Sequence, residues 1–217
     1  IENNALNETI GGTAAGQPNT IAFNGGAGIF VTGAGTDGHK FSANRIYSHN
    51  TALGININFG GGANNNQAAP TISSVTKNGS NYDVVATLTS GATIEFFRAN
   101  NAAAPAVSPD VPAGEGFQFL GKCTDDTGGG AAACVGPHVN LVADANTTGG
   151  TVQARILGTG LADGDLLSAT TTHSTNGTSQ FASNFPLPIL VCTVTNTLDS
   201  GAGSLRDCIN YANSNPG

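Results

Sequence analysis

Between Asn19 and Asn58 the chain says nearly the same thing twice. Asn19-Thr20-Ile21 returns as Asn44-Arg45-Ile46, Asn24 as Asn50, and Gly28-Ile29 as Gly54-Ile55. The spacing is about 25 residues, the range in which solenoid repeats each bury an apolar face on a neighbour. Within each copy the apolar residues alternate: Ile21 with Phe23, Ile29 with Val31, Ile55 with Ile57. That two-residue rhythm belongs to strands, not helices. The Gly and Asn residues between them supply corners that enter left-handed backbone angles cheaply. Strands joined by short corners at a constant period describe coils of a parallel β-helix. Asn19 with Asn44, and Asn24 with Asn50, then stand at equivalent corners and are expected to stack as a ladder of side-chain amides.

The pattern divides the chain into four. Residues 1–60 read as the last coils of a parallel β-helix, and residues 61–69, rich in Gly and Asn, as a linker. Residues 70–187 carry short strands between turn signals, at Tyr82 to Leu88, Thr93 to Phe97, Phe117 to Gly121, Val139 to Val142, Thr151 to Ile156 and Leu166 to Thr172. Such a string predicts an antiparallel, Ig-like β-sandwich. Residues 188–217 read as a strand, Ile189 to Thr195, and an amphipathic cap helix. Ser204 stands at its N-cap with Asp207 three residues on, a capping box with Asp in place of Glu or Gln. Leu205, Cys208, Ile209 and Ala212 fall on one stripe of that helix. The predicted fold class is all-β: coils, sandwich, and a capping strand and helix.

Composition narrows the function. Charged residues make up only 10% of the chain and hydrophobic ones 39%, which fits a folded chain with many corners. The net charge is −7 and Lys and Arg are nowhere clustered, so nucleic acid is excluded as a partner. No apolar run is long enough to span a bilayer. The chain opens at Ile1 with a rung already under way, which reads as a piece of something longer.

Four cysteines allow three pairings. The one that closes the shortest loops joins Cys123 to Cys134 and Cys192 to Cys208. Structural disulfides point to an oxidising, extracellular setting.

Catalysis finds little support. A Ca²⁺-assisted polysaccharide lyase needs several carboxylates on one face and a Lys or Arg base. The repeats offer only Glu2, Glu8 and Asp37, with Lys40 and Arg45. Paired carboxylates for glycoside hydrolysis are absent from the same stretch. Asp163 and Asp165, around Gly164, are weak Ca²⁺ candidates, as are Asp125 and Asp126, because Asp-Gly is also an ordinary hairpin turn. No cofactor is expected beyond that cation. His39 and His49 read as surface or corner histidines, not as ligands.

The run Thr195-Asn196-Thr197-Leu198-Asp199-Ser200-Gly201-Ala202-Gly203-Ser204-Leu205-Arg206 resembles the opening motif of secreted bacterial right-handed β-helix surface proteins. Asn7 to Gly16 followed by Asn19-Thr20-Ile21 resembles their internal repeat, and Leu53-Gly54-Ile55-Asn56-Ile57 their closing coil. Ile94 to Phe97 with Phe119-Leu120-Gly121 resembles the sandwich that commonly follows. The resemblance implies one β-helix ending, a sandwich, and another β-helix beginning, within a long exported surface protein.

The expected role is therefore structural and extracellular: a stalk segment or a head-to-tail filament of copies of itself, with adhesion to surface glycans as a further task. Ser204, Leu205, Cys208, Ile209 and Ala212 are the expected assembly residues. The competing expectation is a carbohydrate-binding or polysaccharide-degrading module. It would need an aromatic platform or a carboxylate cluster, and only Tyr47 looks exposed on the repeats.

Overall fold

The computed structural model describes residues 1–49, 53–58, 61–99, 114–125, 133–140, 149–159, 161–189 and 192–214. Six short strands open the chain: β1 (Thr9–Gly11), β2 (Thr20–Ala22), β3 (Ile29–Phe30), β4 (Lys40–Ser42), β5 (Arg45–Tyr47) and β6 (Ile55–Asn56). They pair in parallel as three separate ladders, β1 with β4, β2 with β5 and β3 with β6. Ile10 stands opposite Phe41, Ile21 opposite Ile46, and Ile29 opposite Ile55. These are the repeats seen in the sequence, and their inward residues with Val31 and Ile57 form one apolar cluster. Most of the non-glycine residues with positive φ are Asn, the side chain that best tolerates that conformation.

A 3₁₀ turn at Ala63–Asn66 leads into ten further strands. They are β7 (Thr71–Asn78), β8 (Asn81–Thr87), β9 (Thr93–Arg98), β10 (Gln118–Thr124), β11 (Ala133–Val135), β12 (Val139–Asn140), β13 (Thr151–Ile156), β14 (Leu166–His173), β15 (Gly177–Thr178) and β16 (Phe185–Pro186). One antiparallel sheet runs β11-β10-β9-β14-β15 with β16 also on β14, and the other runs β12-β13-β8-β7. A single core lies between them, with Tyr82, Val84, Val152 and Ile156 from one side and Ile94, Phe96, Leu120 and Leu167 from the other. Five of the six expected strands are present, four within a residue at each end, while β10 runs three residues beyond the expected Gly121. Of the sixth, Val139 to Val142, the first two residues form β12 and the last two lie outside the described residues.

Three expectations need correction. The strand β7 was not foreseen, because Ser73, Ser74 and Thr76 blur its alternation; it survives as an edge strand paired only with β8. The expected strand Ile189 to Thr195 is not formed among its described residues, which pair with no sheet edge. The stretch 61–69 is not a loose linker. Asn64 is fully buried, accepts the His39 N–H at 3.0 Å and donates to the carbonyls of His39 (3.1 Å) and Thr178 (2.8 Å). Gln67, also buried, donates to Thr89 Oγ1 at 2.9 Å and accepts from Asn176 at 3.0 Å.

This packing fuses the two expected domains. Phe97 and Phe181 of the antiparallel part meet edge to face at 5.3 Å and belong to the apolar cluster of the parallel ladders. Ile46 bridges Gly116, and the Glu115 carboxylate accepts the N–H groups of Ser48 (2.7 Å) and His49 (3.0 Å). Gly177, at φ 88, lies so close to the His39 carbonyl that a Cβ would stand 2.5 Å from it. A Gly177→Ala substitution must therefore open the seam as well as strain the backbone. We expect a loss of about 2–4 kcal/mol in urea denaturation. A loss below about 0.5 kcal/mol, the range of ordinary surface substitutions, would show that the seam yields freely.

Candidate assembly surface

The last described element, α1 (Leu205–Ser214), is made by its local sequence. Ser204 Oγ accepts the Asp207 N–H at 3.1 Å, closing the N-cap. The Asp207 carboxylate reaches back to the Gly203 N–H at 2.9 Å, one residue before the position a standard capping box uses. Its charge also suits the positive end of the helix. Thr195 and Asn196 both donate to the Gly203 carbonyl, at 2.8 and 3.2 Å, so the approach folds back on the helix start. Arg206 pairs with Asp199 at 2.8 Å, but both are well exposed and the pair adds little.

The Cys192–Cys208 disulfide ties α1 to that approach, and Cys123–Cys134 staples the β10–β11 hairpin across paired positions. A ten-residue helix is marginal alone in water. Reducing the chain, or replacing Cys208 by Ser, is therefore expected to melt α1 while both sheets stay folded. Far-ultraviolet circular dichroism would show loss of the helical component only; an unchanged helical signal would mean that the cap alone holds α1.

The apolar stripe of α1 faces solvent. Leu205 is 61% exposed, Ile209 51% and the preceding Leu198 67%, and Ala212 is exposed as well. Leu198, Asp199, Leu205, Arg206 and Ile209 line an open cleft of ≈ 460 Å³. No described element of the chain covers it.

Two of the opening strands, β1 and β2, show the complementary condition. Phe41 and Ile46 are buried, yet their ladder partners Ile10 and Ile21 are only half-buried, whereas Ile29, opposite Ile55, is buried. Leu6 (58%) and Phe30 (47%) are exposed. Burial is thus lower on β1 and β2 than on β4 and β5.

Corner residues hold the parallel strands in register. Asn44 Oδ1 accepts both the backbone N–H and the side-chain amide of Asn19 at 3.0 Å, and Asn44 Nδ2 donates to the Ile10 carbonyl at 2.8 Å. The Asn24 N–H reaches His49 Nδ1 at 3.4 Å, and Asn50, its expected ladder partner, lies outside the described residues. His39 Nδ1 likewise accepts the Glu8 N–H at 3.2 Å. Both histidines are corner residues, but buried ones, and their Nε2 atoms find no partner. Burial holds both below the ordinary imidazole pKa, chiefly by disfavouring the charged ring.

Three of the Ca²⁺ candidates, Asp163, Asp165 and Asp125, have protein partners. Both oxygens of Asp163 accept from Lys77, at 2.7 and 2.8 Å, and one also from the Tyr82 hydroxyl at 2.7 Å. Asp165 accepts the Ala162 N–H at 2.8 Å and lies 3.7 Å from Arg98. Asp125 receives the N–H groups of Gly91 and Gly150, and Asp126 lies outside the described residues. Among the described residues no three His, Cys, Asp or Glu side chains come together as a metal-binding group. The carboxylates that matter to the fold, Glu95 and Glu115, were not singled out in the sequence, where each stands without a motif. Compared with known protein families and with curated proteins, the chain matches no family model and no individual protein.

Proposed function

We propose that this chain is a structural segment of an exported, repetitive protein. In this reading the three parallel ladders are the closing coils of a right-handed β-helix, the two antiparallel sheets are a sandwich built onto them, and α1 caps a further coil. The observation that carries the reading is the exposed stripe of α1. Leaving Leu or Ile in water forgoes about 1.5–3 kcal/mol per side chain relative to burial. A disulfide that fixes such a face towards solvent makes sense where another element covers it. The half-buried first coil, with unpaired strand edges and exposed Leu6 and Phe30, is the matching surface. Cap on coil is a heterologous contact, and such contacts propagate into fibres instead of closing. Two disulfides fit the oxidising setting outside the cell. No described helix is long and apolar enough to cross a membrane.

Sedimentation velocity over a concentration series tests this, followed by negative-stain microscopy. The expected outcome is concentration-dependent growth into linear particles. A Leu205→Asp, Ile209→Asp double variant is expected to remain monomeric with its helical signal intact. A chain that stays monomeric at every concentration, or a double variant that polymerises as before, would defeat the cap-on-coil contact.

A further inference from the structure

Strand alternation places Phe23 on the same inward face as Ile21. The structure does otherwise: Phe23 takes φ 59, the strand ends at Ala22, and the ring swings out to 76% exposure. The equivalent corner of the next coil is Ser48, at φ 58. The corner thus repeats, and a small polar residue fills it once while a bulky aromatic fills it the other time. A bulky residue at positive φ is a genuine outlier, and strain of this kind gathers at working sites.

The ring has company. Phe23 meets Tyr47 edge to face at 5.8 Å, and Tyr47 meets Phe117 at 4.9 Å. The Arg45 guanidinium lies over Tyr47 at 5.5 Å and over Phe117 at 4.8 Å, and its Nε donates to the Phe117 carbonyl at 3.0 Å. No carboxylate of the described residues pairs with Arg45, although the chain carries a net charge of −7. The nearby carboxylate of Glu115 is already taken by the N–H groups of Ser48 and His49. Asn24, Gly25 and Gly26 flank the ring in open, exposed backbone, and a Cβ on either glycine would touch nothing.

We propose that this outer face of the β2–β5 ladder binds an acidic saccharide, with the apolar face of a pyranose ring stacked on Phe23 and its carboxylate held by Arg45. The inference goes beyond the structural role above and does not depend on it. Size argues for the occupant. A single exposed ring among Asn and Gly is far smaller than the apolar centre of a protein interface, yet it matches one sugar. A lone unpaired cation suits a single carboxylate, and it is too little for a nucleic-acid backbone, whose affinity comes from many phosphate contacts. Arginine's planar fork is the side chain best shaped for a carboxylate.

Isothermal titration with a short oligogalacturonate, and with a neutral glucan oligomer of the same length, tests the site. The acidic sugar is expected to bind saturably and the neutral one at least about tenfold more weakly. Phe23→Gly removes the ring and relieves the corner, so it should melt no lower than the parent chain and bind at least about tenfold more weakly. Arg45→Gln should bring the acidic sugar down to the level of the neutral one. Four results would each overturn the proposal: no saturable binding of either sugar, equal affinity for both, undiminished binding by Phe23→Gly, or a lower melting temperature of that variant, which would make the ring a packing residue.

Discussion

An Asn64→Ala variant is expected to lose about 3–5 kcal/mol of stability, a large part of what a domain of this size possesses. Asn64 makes three side-chain hydrogen bonds, all buried: one from the His39 N–H and one each to the carbonyls of His39 and Thr178. Alanine leaves the His39 N–H and the Thr178 carbonyl dry and unpaired, at about 1–3 kcal/mol each, with some relief if water enters the space, while the His39 carbonyl keeps the Thr178 N–H. It also sits at φ 45, where Asn can settle at small cost and Ala cannot. Asn64 joins the parallel ladders to β15 of the antiparallel part, so the loss should appear in one transition, not two. Urea unfolding followed by tyrosine fluorescence and by circular dichroism would show coincident curves. A loss under about 1 kcal/mol, or two separated transitions, would mean that the two parts are only loosely joined.

Much of this was legible in the sequence, for a physical reason. Parallel strands in register place the same residue types at matching positions, so Asn19 beside Asn44, Ile21 beside Ile46 and Ile29 beside Ile55 could be read by matching the text to itself. Ile21 and Ile46 are partners and the Asn24 N–H bonds His49, both at a spacing of 25, whereas Ile29 and Ile55 are partners at a spacing of 26. Asn50, the expected match of Asn24, lies outside the described residues. The seam was not legible at all. Gln67, Glu95 and Glu115 carry no local signature, because what makes each necessary is a backbone group from a distant segment. Phe23 was misread because alternation is a rule about strands, and the strand stops one residue before it. The helix α1 was read correctly from its N-cap and stripe, which are local signals, but its exposure is a property of what surrounds it.

Glu95 supplies the other large effect, and here the charge has a sign that can be tested. It lies on β9, buried, and its carboxylate accepts from the Ala43 N–H at 2.8 Å and from the Ser42 hydroxyl. Burial raises its pKa; the two hydrogen bonds and the charge of Lys122 oppose that and do not prevail. A carboxyl whose folded pKa exceeds its unfolded value binds protons more tightly when folded. Its contribution to stability therefore falls as pH rises from the unfolded value, about 4.3, through the folded one, and is flat above. Glu95→Gln keeps the shape, lets the amide oxygen accept from Ala43 and the amide nitrogen donate to Ser42, and removes the charge. It should be as stable as the parent chain at neutral pH or more so, whereas Glu95→Ala, which strands both donors, should lose about 2–4 kcal/mol. His39 and His49 act in the opposite sense: their lowered pKa values remove stability as pH falls below about 6.5, and protonation at Nδ1 cancels the acceptors for Glu8 and Asn24. The difference in unfolding free energy between the parent chain and Glu95→Gln cancels the histidines and isolates the carboxyl. That difference should shift in favour of the parent as the medium is acidified towards the unfolded value. A difference independent of pH would mean that Glu95 is solvated in the folded chain. A shift the other way would mean that the seam holds the carboxylate better than water does.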